Sequence, residues 1–438
     1  MKRVFANMGW LLGGRGFNAV LSLVYLAIAA RTLGTDGFGH FALIIALGQA
    51  ITGFSSFQTW QFIVRWGADP DRPGVDIERA REATGFAVAL DFLSMAVGTL
   101  ASAVLVLTAH LWLDVPPDLL WLTFWYCVIS LVTIRTTPTG MLRLHSEYGK
   151  ATGAEAVQPV IRASGAVLAW LFMPDVTGFI LAFAASEVAT AFALWVVAAR
   201  VQPVSLTSIS LRAIPSRHKD AWKFVLSTNM SGSLAVAGKQ VMILLVGTFG
   251  GAYLAGGFRI ANQLGVALIA LAQTISKAIL PELVQSRDGA VEMARRMANI
   301  AAMAGVTAVI TAILFGREGL ALIAGEEFTG FYWAMIILSI AGAVELVGAS
   351  LESLLISAGK AHVAFLVRLF PTILALLMLE MAIDWKGAQG AGFAVLGSSV
   401  LAVVGFYLAI MNLKQFRIVV VDDTKDEGAD TRPASPER

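Results

Sequence analysis

Twelve stretches of this chain are each long and apolar enough to cross a lipid bilayer, and no other feature restricts its fold so severely. A spanning helix needs about 20 mostly apolar residues, and such segments run 5–33, 38–66, 83–113, 117–142, 151–173, 176–199, 221–249, 252–280, 294–315, 328–357, 361–383 and 388–413. With 57% hydrophobic and 14% charged residues among 438, too little polar surface is left for a soluble globule. The expected fold is an all-α polytopic membrane protein. Met-Lys-Arg ahead of the first segment resembles a secretory signal, but the apolar run that follows is far longer than a signal's and is read as the first spanning helix.

The connections test the count, because cytoplasmic loops carry an excess of Lys and Arg. Twelve helices place Arg65, Arg72, Arg79 and Arg81, then Arg143 and Lys150, then Arg200, Arg212, Arg217, Lys219 and Lys223, then Arg287, Arg295 and Arg296, and finally Lys360 on one side. The opposite side holds Asp114, Asp118 and Asp175, Arg317 against Glu318, Glu326 and Glu327, and Asp384 with Lys386. Both termini are therefore expected in the cytoplasm. A miscounted helix would invert this pattern partway along.

The first two segments join through a Gly-rich turn, Arg31 to Gly39, and a similar unit recurs at a constant offset of about 217 residues. Val24, Gly34, Gly39, Phe41, Leu47, Gly48 and Ala50 meet Val241, Gly251, Gly256, Phe258, Leu264, Gly265 and Ala267. Two pseudo-symmetric six-helix bundles around a central cavity are expected: 1–200 and 221–413. Residues 201–220, with Pro203, Pro215 and a Ser/Thr run, form the cytoplasmic linker between them, and 414–438 is a charged tail, poor in apolar residues, expected to be disordered.

Several motifs fail on context. Gly14 to Ala19 fits the G-x-G-x-x-A dinucleotide fingerprint but lies in a membrane helix and lacks the strand that motif needs, so its small residues read as a packing surface. Gly238-Lys239 lacks the spacing and the Ser/Thr of a phosphate-binding loop, and Asn229-Met-Ser231 is a glycosylation sequon only in form. Cys127 is the only cysteine, and the five histidines are scattered, so neither a disulfide nor a metal cluster is indicated. No cofactor is expected. No basic run mixed with aromatics suggests a nucleic-acid partner.

What remains is a set of charges inside spanning segments: Arg15, Arg135, Arg162, Lys239, Arg259, Lys277 and Arg368, against Asp91, Glu155, Glu187, Glu345 and Glu352. A charge at bilayer depth costs on the order of 3 kcal/mol on insertion scales, so such groups face a polar interior. In the first helix Arg15, Asn18, Ser22 and Tyr25 share a face; in the eighth Arg259, Asn262, Gln263, Gln273 and Lys277 do, and Glu345 and Glu352 are i and i+7 in the tenth. At the repeat offset Lys239 corresponds to Ser22 on the Arg15 stripe. The alternative reading is intramembrane salt bridging, as between Glu155 and Arg162. Pro138, Pro159 and Pro371 fall within the predicted spans, where each would kink its helix, either for bending during transport or simply to fit the bundle.

Over about residues 5–413 the chain resembles the polysaccharide-transporter branch of the multidrug/oligosaccharidyl-lipid/polysaccharide exporter superfamily, the Wzx-type lipid-linked oligosaccharide flippases. The likeness rests on Asn18 to Arg31, on Leu33-Gly34-Thr-Asp-Gly-Phe-Gly39 followed by Phe41-Ala-Leu, on the echo Gly251 to Phe258 and on the two-fold six-helix plan. The echo departs from the pattern by placing Gly257 before Phe258. The resemblance implies a non-enzymatic flippase of a bacterial inner membrane. It would move a polyprenyl-pyrophosphate-linked glycan outward by alternating access, leave the polyprenol in membrane lipid, and hand its product to the polysaccharide polymerase machinery. Arg15, Lys239 and Arg259 would meet the pyrophosphate, with Asn18, Arg162, Gln263 and Lys277 completing the lumen. Asp91, Glu187, Glu345 and Glu352 would be the ion-coupling candidates. An ion-coupled multidrug exporter of the same superfamily is the alternative, although it would want an acidic or aromatic cavity. A glycan polymerase or ligase ranks lower, because every predicted outer loop is short.

Overall fold

In the computed structural model the described residues are 2–68, 74–217, 220–283, 290–357 and 360–412. They are helical throughout, with one isolated bridge, Ala68 to Val75. The helices are α1 (Lys2–Ser55), α2 (Thr59–Gly67), α3 (Ile77–Leu107), α4 (Leu120–Val132), α5 (Thr136–Leu144), α6 (Tyr148–Glu155), α7 (Val157–Phe172), α8 (Val176–Val201), α9 (Ala213–Arg217), α10 (Asp220–Leu283), α11 (Ala290–Ile323), α12 (Tyr332–Ser357), α13 (Ala361–Leu377) and α14 (Leu379–Asn412). The tail 414–438 lies outside the described residues, as do 218 and 219 of the linker.

Two of these helices are hairpins closed by a single glycine. Gly34 in α1 has φ 65° and ψ −172°, and Gly251 in α10 has φ 77° and ψ 176°. A residue without Cβ adopts this backbone at no steric cost. The rings of Tyr25 and Phe41 lie 6.1 Å apart, whereas a continuous helix would hold them roughly 24 Å apart. A third reversal occurs in α14 at Lys386 and Gly387. Among the described residues eight stretches are long and apolar enough to span on their own, and Val20–Gly67 and Gly238–Ala270 each contain one of the glycine reversals. With the shorter His362–Leu377 and the broken fifth pass, the described residues trace the expected twelve passes in two six-helix bundles around a central cavity.

Three passes differ from the uninterrupted spans expected over 38–66, 117–142 and 151–173. The second is broken between α1 and α2, the fourth between α4 and α5, and the fifth at Ala156. Pro138 and Pro159 stand in the first turns of α5 and α7, where the missing N–H is one that a helix start leaves unbonded anyway. They begin helices and do not kink them. Of these three prolines only Pro371 sits inside a helix.

The two halves meet along the α1 and α10 hairpins. A Cβ on Gly39 would stand 2.0 Å from the Ala252 carbonyl oxygen, and one on Gly256 would stand 3.2 Å from that of Thr35. These contacts exchange under the repeat offset, so the interface is isologous. Glycine lets the backbones approach this closely, which is how helices associate where apolar burial gives little net drive. Around it one apolar core draws on both halves, including Tyr25, Phe38, Phe41, Phe183, Phe258, Phe328 and Phe331.

Candidate functional site

A cavity of about 560 Å³ lies between the halves. Among the described residues its wall carries four cations, Arg162, Lys239, Arg259 and Arg368, and one carboxylate, Glu345. Tyr25, Gln49, Gln240, Asn262, Gln263, Thr372, Ser398 and Ser399 supply neutral polar groups. Lys239 and Arg259 flank the Gly251 reversal, so the hairpin brings both to one wall.

The cations differ in how they are held. Arg162 lies over the Phe183 ring at 3.8 Å and donates to Glu187 Oε1 at 3.1 Å and to Ser186 Oγ at 3.3 Å. Arg368 pairs with Glu352 at 3.4 Å. Arg259 donates through Nη1 to the Ala42 carbonyl at 3.1 Å, and among the described residues no carboxylate lies within ion-pair distance of it or of Lys239. These two charges are therefore open to an anion, and a guanidinium retains further donors in a fork suited to phosphate oxygens. Glu345 accepts from Ser399 Oγ at 3.3 Å.

A second cavity, of about 400 Å³, lies in the N-terminal half where passes two and four are broken. Thr59 Oγ1 lies 2.9 Å from the hydroxyls of both Thr136 and Thr137, joining the two restarted helices. Thr137 in turn donates to Asp91. Glu187 accepts from Arg135, from Arg162 and from Gln158 Nε2, the last at 2.9 Å, so this carboxylate is shared between two guanidinium groups.

The structure thus brings Arg162, Lys239, Arg259, Gln263 and Glu345 to one cavity and places Asp91 and Glu187 at another, with Glu352 engaged by Arg368. Glu155 ends α6, separated from Arg162 on α7 by the break at Ala156. The side chains of Arg15, Asn18 and Lys277 lie outside the described residues. Tyr25 and Phe183 lie beneath Arg162; Phe183, and Gln49, which borders both cavities, were not singled out from the sequence. Tyr25 had been placed on the stripe; Phe183 and Gln49 carry no signal beyond a polar or aromatic residue in an apolar run.

At the end of the molecule bearing the glycine reversals, Arg31 of α1 and the loop residue Asp114 connect the halves. Arg31 donates to the carbonyls of Ala321 at 3.1 Å and Leu322 at 2.6 Å, satisfying the end of α11. Asp114 accepts from the Ala252 N–H at 2.9 Å, capping the helix that restarts after Gly251. These contacts hold that end shut.

Two six-helix halves, a central polar cavity and a closed interface at one end define a transporter-like membrane fold. The same fold is seen in a lipid II flippase MurJ in an inward-closed conformation (TM-score 0.71, 10% identity, 92% of this chain and 87% of that one). It is also seen in an inward-facing multidrug resistance MATE family transporter of the MOP superfamily (TM-score 0.64, 17% identity, 92% and 96%). Within that class the chain belongs to the polysaccharide biosynthesis protein family, whose model matches residues 4–287. It is similar to the inner membrane protein YghQ of Escherichia coli K12, 26% identical over 338 residues that cover 76% of this chain and 95% of the relative.

Proposed function

We propose that the protein is a flippase for polyprenyl-pyrophosphate-linked oligosaccharide, carrying it from the inner to the outer leaflet of a bacterial cytoplasmic membrane by alternating access. The observation that carries this reading is Arg259, a cavity guanidinium whose protein partner is a backbone carbonyl and not a carboxylate. Each sugar hydroxyl moved into hydrocarbon without a partner costs about 2 to 7 kcal/mol, and a pyrophosphate far more. A polar cavity with amide and hydroxyl walls removes the first penalty, and Arg259 with Lys239 offsets the second. The polyprenol stays in lipid. A potential of about 100 mV, negative inside, favours outward passage by about 2.3 kcal/mol per negative charge. The end closed by Arg31 and Asp114 is outward under the positive-inside pattern, so the cavity is set to load from the cytoplasm. The unpaired cations Lys239 and Arg259 on the wall speak against an exporter of organic cations. A strain lacking the protein should accumulate lipid-linked repeat units on the inner leaflet; normal export in that strain would dismiss the reading.

A further inference from the structure

One hydroxyl on the wall of the central cavity has no partner in the protein. Tyr25 lines that cavity and is 4% exposed, and among the described residues nothing is hydrogen-bonded to its Oη. Buried polar atoms are nearly always satisfied, and each exception needs a cause. Loose packing is not the cause here. The ring lies 6.1 Å from that of Phe41 and 6.0 Å from that of Phe183, with the Arg162 guanidinium 5.7 Å above it. A ring held on three sides cannot swing its hydroxyl to another acceptor. Phenylalanine would make the same ring contacts without leaving a polar atom buried and unbonded.

The surroundings decide what this hydroxyl can bind. Among the described residues the charged groups that act on it are Arg162, Arg259 and Glu187. Glu187 is occupied by Arg135, Arg162 and Gln158, and Arg162 by Glu187 and Ser186. Arg259 uses one N–H on the Ala42 carbonyl and keeps the rest of its fork. A hydroxyl facing two guanidinium groups turns its lone pairs toward them and its proton away, as a dipole does in any such field. Tyr25 therefore offers a ligand a donor, and so does all that Arg259 has left. A sugar hydroxyl wants donors and acceptors in turn, whereas an anionic oxygen wants donors only, and a phosphate presents several.

The hairpins put the two donors at one level. Tyr25 lies nine residues before the Gly34 reversal and Arg259 eight after the one at Gly251, about 12–14 Å of helix in each case. They come from opposite halves, and the repeat does not duplicate them: at the offset of 217 residues Tyr25 corresponds to Met242 and Arg259 to Ala42. At this level one half supplies the hydroxyl and the other the guanidinium.

We propose that Tyr25 is a phosphate-binding residue whose hydroxyl donates to the phosphate that Arg259 holds, so that a bound pyrophosphate links the two halves. This rests on the flippase reading and extends it to a neutral side chain of the N-terminal half.

The test is equilibrium binding of farnesyl pyrophosphate, a prenyl pyrophosphate without glycan, to the purified full chain in lipid nanodiscs, beside thermal melting without ligand. Tyr25→Phe should weaken binding about tenfold or more, the loss expected for a hydrogen bond to a charged group. Its melting temperature should equal or exceed the native value, because the hydroxyl bonds nothing in the empty protein. Native affinity in Tyr25→Phe overturns the proposal; if Arg259→Ala binds more weakly in the same assay, the flippase reading stands. A lowered melting temperature in Tyr25→Phe also overturns it, since the hydroxyl would then have a partner within the protein. So does a loss seen only with a glycan-linked pyrophosphate, which would assign the hydroxyl to a sugar. Absence of saturable binding in the native protein removes the proposal and the reading beneath it together.

Discussion

Arg259 donates to the carbonyl of Ala42 at 3.1 Å, and the two residues are 217 positions apart, the offset of the internal repeat. A residue that touches its own equivalent lies on the two-fold axis relating the halves. Gly39 and Gly256, three residues earlier in each half, do the same: a Cβ on Gly256 would stand 2.9 Å from the Gly39 Cα. The axis therefore follows the packed hairpins and enters the cavity at Arg259. An arginine opposite an alanine breaks the symmetry there, so one cation stands midway between the halves, in reach of a single anionic group whichever half moves.

Close approach at Gly39 should not tolerate a side chain. Gly39→Ala would drive a methyl group into the Ala252 carbonyl, and overpacking of this kind costs about 1–3 kcal/mol or more. A clear fall in melting temperature in detergent is expected. Gly149→Ala in α6, where a Cβ would meet nothing within 4 Å, should leave melting unchanged or slightly higher. Equal melting of the Gly39 variant and native protein would contradict the packing described.

Asp114 and Arg31 should set the balance between closed and open states at the reversal end. Asp114→Ala removes a helix cap worth about 0.5–2 kcal/mol, and each 1.4 kcal/mol is roughly a tenfold change in population. Spin labels across that end should report a longer distance component in Asp114→Ala and a larger one in the double variant with Arg31→Ala. Unchanged distributions in both would remove these residues from the closure.

Glu187 holds two arginines, so Glu187→Gln should act first on stability. Leaving partly buried guanidinium groups unpaired costs about 3–5 kcal/mol. Glu352→Gln, which frees only the more exposed Arg368, should cost less. Thermal melting of the two variants side by side checks the order.

The repeat was legible in the sequence because glycines that close hairpins and pack backbones cannot be replaced by other residues without strain. Gly34 with Gly251 and Gly39 with Gly256 thus marked both the reversals and the axis. The breaks at Ser56–Gln58 and Thr133–Arg135 were not legible. Hydropathy is averaged over a window longer than the break, and Phe57 and Ile134 keep that average high. Pro138 carried a signal, but a proline inside an apolar run reads as a kink until the preceding residues are known to be non-helical. Arg31 and Asp114 looked like ordinary loop charges, since a pattern of loops says nothing about which loops touch.

The most direct measurement is the rate at which the purified protein in proteoliposomes moves a labelled polyprenyl-pyrophosphate oligosaccharide between leaflets. Native protein should move it, and Arg259→Ala should slow it at least about tenfold, the loss expected when a charged hydrogen bond to phosphate is removed. Arg259→Lys should fall between, keeping the charge without the fork. Flipping by Arg259→Ala at the native rate, in protein that remains folded, would contradict the account.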